Sequence, residues 1–264
     1  MTTLTEVLDD LSAEGSRLDA VVTPLDDDGW RMPTPAEGWD VARQIAHLTW
    51  TDEVAVAAAI DETRWQALVE EALQDPDGFV DTAAAEVATA GAEALLDRWR
   101  SARSALAEVL ATYPPRQKIP WFGPPMSATS MATARFMETW AHAHDVADAL
   151  GRPFEPTNRI RHVVHLGVRT RDFAFATRRL SPPDEEFRVE LVAPGGELWG
   201  YGPEGAAQIV RGPAYDFCLL VTQRRHRLDL GLEATGADAE RWLEIAQAFA
   251  GPPGAGRAKQ AAAS

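Results

Sequence analysis

The chain has 264 residues, of which 45% are hydrophobic and 25% are charged, and its formal net charge is −15. This length suits one large domain or two modest ones. No apolar run reaches the ~20 residues of a membrane helix, and the acidic N-terminal stretch lacks the basic start and apolar core of a secretory signal. The excess negative charge disfavours nucleic acids and anionic membrane surfaces as partners. We therefore expect a cytoplasmic protein, and its state, monomer or homodimer, stays open.

Apolar residues recur at helical spacing through the first two-thirds of the chain. The pattern predicts four long helices, near residues 2–22, 39–60, 81–112 and 128–150, with a shorter helix between 61 and 78. Asp40 is the expected N-cap of the second long helix, and Gly151 the C-cap of the fourth. Four long helices joined by one long, proline-rich crossover predict a four-helix bundle.

The spacing of apolar residues changes after Gly151. Residues 152–180 look like one more helix, and beyond it the apolar period shortens towards two in FRVELVAP, GELWGYG and AQIVRG. Two further helices are predicted, in PAYDFCLLV and ADAERWLEI, with a strand-like segment between them. The prediction is an α+β protein with a helical bundle over residues 1–180 and a smaller α/β domain over residues 181–264.

One helix is unusually rich in metal ligands and proton carriers. In METWAHAHDVADALG, which spans residues 137–151, Glu138, His142 and Asp145 lie at positions i, i+4 and i+7. Such residues share one face of a helix, so these three can converge on one point. His144 is rotated by about 200° from His142 and points the opposite way.

A glutamate and a histidine four residues apart on a helix can supply two ligands to one metal ion. The best third ligand is His47, which lies among apolar residues in QIAHLTW. Two histidines and one carboxylate leave coordination positions for water or substrate, which is the pattern of catalytic rather than structural zinc. The alternatives are an ordinary surface contact between Glu138 and His142, and a hydrogen-bonded core histidine at position 47.

The single cysteine, Cys218, is embedded in the apolar run FCLLV. One cysteine excludes a disulfide within the chain and a cysteine-rich zinc site. We interpret Cys218 as a small buried hydrophobic residue rather than a nucleophile.

Two motifs together resemble a known family. They are WDVARQIAHL at residues 39–48, a tryptophan followed eight residues later by His-Leu, and ETWAHAHD at residues 138–145, the pattern E-x-x-x-H-x-x-D. Their order and separation resemble the mycothiol-dependent maleylpyruvate isomerase family, one of the DinB-like metal-binding bundles. The segments GPAYDFCLLVTQR and WLEIAQAFA are similar to that family's second domain, so the resemblance covers nearly the whole chain. The stretch ETWAHAHDVADAL is similar to an actinobacterial, metal-binding subgroup.

The resemblance implies roles for individual residues. His47, Glu138 and His142 match the family's three metal ligands, with zinc as the expected divalent ion. Asp145 matches the acid that follows the second histidine and is a catalytic candidate.

The family's arginine, which follows the apolar helix of the second domain, falls at Arg224, or at Arg225 if the register slips by one. That arginine is a candidate for catalysis and for binding the thiol cofactor. The thiol expected from the resemblance is mycothiol.

The resemblance implies an enzyme that uses a metal ion and a low-molecular-weight thiol, either for S-transfer to a small electrophile or for its isomerisation. Two other functions stay open. Metal-bound water could hydrolyse or hydrate a small substrate, with Asp145 as the base. A non-enzymatic protein could bind a metal ion and enclose a small apolar ligand among its tryptophans.

Overall fold

The computed structural model describes residues 2–251, 253–254 and 256–260. Contacts between residues divide it into two compact units, Met1–Phe154 and Glu155–Ser264. The first unit is helical in its described residues, and its helices are α1 (Leu4–Val22), α2 (Asp27–Trp30), α3 (Val41–Ile60), α4 (Glu62–Gln74), α5 (Phe79–Ala88), α6 (Ala92–Thr112) and α7 (Ala128–Ala149).

Four of these helices form the bundle that the sequence predicts. Helix α3 packs against α6 and α7, and α1 packs against α7 and α6. The large side chains of Trp99, Phe136 and Trp140 are almost fully buried in the first unit. Full burial of such a side chain contributes roughly 1.5–3 kcal/mol, so packing of the apolar faces holds the helices together.

The helix termini follow their capping residues. The carboxylate of Asp40 accepts a hydrogen bond from the backbone N–H of Arg43, and α3 begins at the next residue, Val41. The hydroxyl of Ser127 accepts one from the backbone N–H of Ser130 at the start of α7. These caps satisfy backbone donors that have no partner within the helix.

The prediction of one helix over residues 81–112 is wrong. The segment forms two helices, α5 and α6, with a break before Ala92. Gly91 lies at the break with φ +81°, a conformation that glycine adopts without steric cost. The break lets α5 pack against α3 while α6 contributes to the bundle.

The second unit combines helices with a small sheet. It contains a 3₁₀ turn at Asn158–Ile160, followed by α8 (Arg161–Arg169), α9 (Arg171–Thr177), β1 (Phe187–Val192), β2 (Leu198–Tyr201), β3 (Gln208–Pro213), α10 (Ala214–Val221), β4 (Glu233–Thr235) and α11 (Ala237–Ile245). Residues 152–180 therefore form two short helices and a turn instead of the single helix predicted.

The strands are ordered β2-β1-β3-β4. The central pair, β1 and β3, is parallel, and both outer pairs are antiparallel. Phe187, Val189 and Leu191 alternate with more exposed residues along β1, as a half-buried strand requires. The ring of Trp242 on α11 meets those of Phe187 and Phe217 edge to face, which places the core of this unit beside the sheet.

The division between the units comes earlier than the boundary at residues 180 and 181 that the change of period suggested. Helix α8 packs against α10, and α9 packs against α11, so both belong with the sheet-containing unit. A change from helical to strand spacing marks the start of a sheet, but helices before it can belong to the same unit. None of the described helices is long and apolar enough to span a membrane.

Candidate metal centre

Helices α3 and α7 bring the predicted ligands together. His47 lies in the middle of α3, while Glu138 and His142 lie one turn apart on α7. Because α3 and α7 pack against each other, the face of α7 that carries Glu138 and His142 meets α3 near His47. Of the residues that the structure describes, these three form the one cluster whose ligand atoms could hold a metal ion, with all atoms within 4.8 Å of one another.

The cluster centres on one carboxylate oxygen. Glu138 Oε2 is 3.4 Å from His47 Nε2 and 3.2 Å from His142 Nε2. The two imidazole rings are 4.5 Å apart between centroids. The side chain of Glu138 is 22% exposed, against 11% for each histidine, so the carboxylate is the most exposed of the three groups.

Glu138 is held in its charged form. Burial disfavours the carboxylate, but its hydrogen-bonding contacts with the imidazoles of His142 and His47 outweigh burial, and the pKa of Glu138 lies well below its ordinary value. The positive charge of Arg135, one turn earlier on α7, acts in the same direction. An ionised carboxylate beside two imidazole nitrogens is a donor set suited to a divalent ion such as zinc.

A second layer of hydrogen bonds surrounds His142. Its Nδ1 contacts the side-chain carbonyl of Gln44, which is on α3 and fully buried. The Gln44 amide donates to the hydroxyl of Thr34, 2.8 Å away, and that hydroxyl contacts the backbone carbonyl of Trp39 at 2.9 Å. The ring of Trp39 stacks on His142 and meets His47 edge-on. The loop before α3 therefore both covers and supports the cluster.

A buried ion pair between Arg135 and Asp52 also joins α7 to α3. Arg135 on α7 donates to Asp52 on α3 at 3.0 Å and to the hydroxyl of Thr51 at 2.6 Å. That hydroxyl donates in turn to the backbone carbonyl of His47. Burial raises the pKa of Asp52, and the charge of Arg135 opposes that rise. The ligands are thus flanked by polar links between α3 and α7 at Gln44 and at Asp52.

The first unit also has an open cavity of about 480 Å³, which none of the three ligands lines. Its lining includes Trp50 and Phe79, whose rings meet edge to face at 5.2 Å. The ring of Trp50 also lies 6.4 Å from that of His47. A cavity of this volume is large enough for a small organic ligand.

Two other residues, Asp145 and Arg224, are predicted to belong to the site. Asp145 is buried at 1% exposure and is not among the three residues whose ligand atoms cluster, and its catalytic role stays a prediction. Arg224 belongs to the second unit, where its Nη1 donates to the backbone carbonyl of Thr222.

Two further residues differ from the clustered ligands in their surroundings. His144 packs against the rings of Trp140 and Phe154, away from the metal ligands, as its helical position predicts. Cys218 is buried, and burial raises the pKa of its thiol well above the ordinary value, which disfavours the nucleophilic thiolate.

The comparisons with known proteins identify a family. The sequence profile described as "Mycothiol maleylpyruvate isomerase N-terminal domain" matches residues 11–147. A second profile, described as "Wyosine base formation", matches residues 183–231. Two uncharacterized proteins, from two strains of Mycobacterium tuberculosis, are each 56% identical over 248 residues, which covers 94% of this chain and 96% of theirs.

Solved structures give the same result for the fold. The crystal structure of the mycothiol-dependent maleylpyruvate isomerase matches with a TM-score of 0.59 at 14% identity, over 84% of this chain and 90% of the enzyme. A histidine-to-alanine mutant of that enzyme matches over the same shares, with a TM-score of 0.60 at 15% identity. At these identities the likeness concerns the fold. Together with the profile match and the two motifs, it shows that the chain belongs to the mycothiol maleylpyruvate isomerase N-terminal domain family.

Proposed function

We propose that this protein is a metal-dependent enzyme that uses a low-molecular-weight thiol, which is mycothiol by the family's name. The enzyme either isomerises a small electrophilic molecule or attaches the thiol to it. The observation that supports the proposal most directly is the convergence of His47, Glu138 and His142. Family membership supports the thiol and the isomerase class, since the matching profile and the structural neighbours are named for both.

The residues of the cluster fit a divalent ion. A carboxylate whose pKa is lowered faces two imidazole nitrogens, and all three ligand atoms lie within 4.8 Å of one another. Three protein ligands leave coordination positions for other molecules, which is typical of catalytic zinc. Bound there, a divalent ion lowers the pKa of a coordinating thiol, so that the thiol is nucleophilic near neutral pH.

The protein's own side chains would supply the surroundings for that chemistry. Trp39 covers both imidazoles and Trp50 stands beside His47, so aromatic rings limit the access of water to the ligand atoms. The cavity next to Trp50 would hold the electrophile. Because the thiol of Cys218 is buried and its pKa is raised, the nucleophilic sulfur has to come from a separate thiol molecule.

Asp145 and Arg224 enter the proposal with different roles. Asp145, buried one turn after His142, would orient neighbouring groups or move a proton rather than hold the ion. Arg224 would bind a carboxylate of the substrate or the thiol cofactor, because a guanidinium can bind such groups through two hydrogen bonds.

Incubation of the purified protein with zinc, mycothiol and simple electrophiles, followed by mass spectrometry, tests the proposal. We expect a thiol conjugate or an isomerised product from the native protein and from His144→Ala, and neither from His47→Ala or His142→Ala. A product that has gained water without sulfur would instead support the hydrolase alternative. Metal binding with no product from any electrophile would support the ligand-binding alternative.

A further inference from the structure

The loop before α3 determines the orientation of the buried Gln44 amide. The hydroxyl of Thr34 has one hydrogen, which it donates to the backbone carbonyl of Trp39 at 2.9 Å. Towards Gln44 the hydroxyl oxygen can therefore only accept, and it accepts from Gln44 Nε2 at 2.8 Å. The backbone N–H of Ala36 also donates to this oxygen, at 3.3 Å. The amide nitrogen of Gln44 thus faces Thr34, and its carbonyl oxygen faces α7.

The orientation of this amide determines which nitrogen of His142 carries hydrogen. Gln44 Oε1 is an acceptor, so the His142 Nδ1 that contacts it has to be the donor. A neutral imidazole has one N–H, and Nε2 is then left with its lone pair directed at the cluster. Gln44 is fully buried, so a flipped amide would leave polar groups without hydrogen-bond partners.

The lone pair on His142 Nε2 faces another acceptor. A carboxylate oxygen, Glu138 Oε2, is 3.2 Å from this nitrogen. Two acceptors at that distance repel each other unless a positive charge lies between them. A divalent ion at the cluster meets that condition, and a metal-binding histidine usually donates its other N–H to an oxygen acceptor.

We propose that Gln44 is a positioning residue of this centre. Held by Thr34, it keeps His142 in the tautomer that presents Nε2 to a divalent cation. Gln44 touches neither the ligand atom nor the substrate and acts only through the far side of the ring. The inference rests on the proposed metal site, although the tautomer itself can be measured in metal-free protein.

The test pairs the tautomer of His142 with the affinity for zinc. Long-range ¹H–¹⁵N NMR of metal-free protein, about two pH units above the ordinary imidazole pKa of ~6.5, shows which nitrogen carries hydrogen. We expect Nδ1–H in the native protein, and a gain of Nε2–H in Gln44→Met. Chelator competition should show that Gln44→Met binds zinc about 10–100-fold more weakly. Gln44→Glu keeps an acceptor oxygen towards His142 and should retain the Nδ1–H tautomer.

Substitutions at Thr34 test the same relay without altering a residue that touches His142. Thr34→Val removes the hydroxyl that orients the amide and should weaken zinc binding about 3–10-fold, a smaller loss than removal of Gln44 itself. Thr34→Ser keeps the hydroxyl and should behave as the native protein. This pair remains informative if melting curves show that Gln44→Met does not fold. Thr49→Val is the matched control, because it removes a buried hydroxyl that bonds only within α3. It should leave zinc affinity within about twofold.

The outcomes separate this inference from the proposed function. A Gln44→Met protein with native tautomer and native zinc affinity would overturn the inference, as would an equal loss of affinity in Thr49→Val. A native protein that shows Nδ1–H on His142 but binds no zinc would contradict the proposed metal site instead.

Discussion

Two faces of α7 each carry a buried histidine, and the surroundings of the two histidines differ. One face, which we call the ligand face, presents Arg135, Glu138 and His142 to polar groups of α3. On the other side, His144 packs against the rings of Trp140 and Phe154. Residues 142 and 144 are both histidines and both buried, so neither residue type nor burial distinguishes a ligand from a packed ring. What distinguishes them is the acceptor and carboxylate atoms that the neighbouring helix places beside the imidazole nitrogens.

The largest effect that this comparison predicts is on metal affinity. His142→Ala removes a ligand atom and should lower zinc affinity by more than about 100-fold, beyond what the loss of an outer partner costs. His144→Ala should leave zinc affinity within about threefold and lower thermal stability instead, because it opens a cavity beside Trp140. Chelator competition and melting curves on both variants measure these effects. Equal loss of zinc from both proteins would refute the contrast between the two faces.

The next prediction concerns the ion pair at the beginning of the ligand face. Arg135 is 3% exposed and Asp52 4%, so Arg135→Met leaves a carboxylate buried without its cation. Removal of one partner of a buried ion pair lowers the free energy of unfolding by about 3–5 kcal/mol. Unfolding in denaturant measures this loss.

The double variant Asp52→Asn with Arg135→Met removes both charges and should recover most of that loss. If Arg135→Met alone has native stability, the pair is not a structural link between α3 and α7. If zinc affinity also falls in the double variant, the pair contributes to the spacing of the ligands as well.

Much of this arrangement follows from local sequence. Helical spacing gives α1, α3 and α7 within a residue or two, and it places Glu138 and His142 on one face. The break at Gly91 was missed because one glycine in a helical pattern is compatible with a continuous helix. The helical period does not show which partners a helix packs against, so the sequence does not reveal that α8 and α9 pack with the sheet-containing unit.

The outer residues of the centre depend on contacts between distant parts of the chain. Gln44 lies one turn before His47 on α3, and that spacing was the one local signal available for it. Its partner His142 is nearly a hundred positions away, and Asp52 is similarly distant from Arg135. The register between α3 and α7 that makes these pairs is set by packing of the whole bundle, which no local pattern records. Arg224 illustrates the reverse case, since only the resemblance names it, and its role stays a prediction.

The pH dependence of stability tests the charge state of the ligand face. The pKa of Glu138 is lowered in the folded protein, so its contribution to stability is fully present above the unfolded value of ~4.3 and is lost as pH falls through the lower folded pKa. Metal-free native protein should therefore lose stability below about pH 4.3 more steeply than Glu138→Gln. Unfolding free energies across this range measure the difference. Parallel curves would show that Glu138 makes no favourable contact with the two histidines.

The smallest effect on metal binding is expected at Asp145, three residues after His142 on α7 and yet outside the cluster. Asp145→Asn changes the side chain's charge but hardly its volume, so packing of this buried position is kept. We expect zinc affinity within about threefold of native, because no ligand atom is removed. We also expect slower turnover, because the amide can no longer take up a proton. Chelator competition gives the first quantity, and the rate of thiol conjugation by zinc-loaded protein gives the second. Loss of zinc comparable to that of His142→Ala would extend the ligand set along the helix to Asp145. Native affinity with native turnover would remove Asp145 from the chemistry and leave it as a buried structural carboxylate.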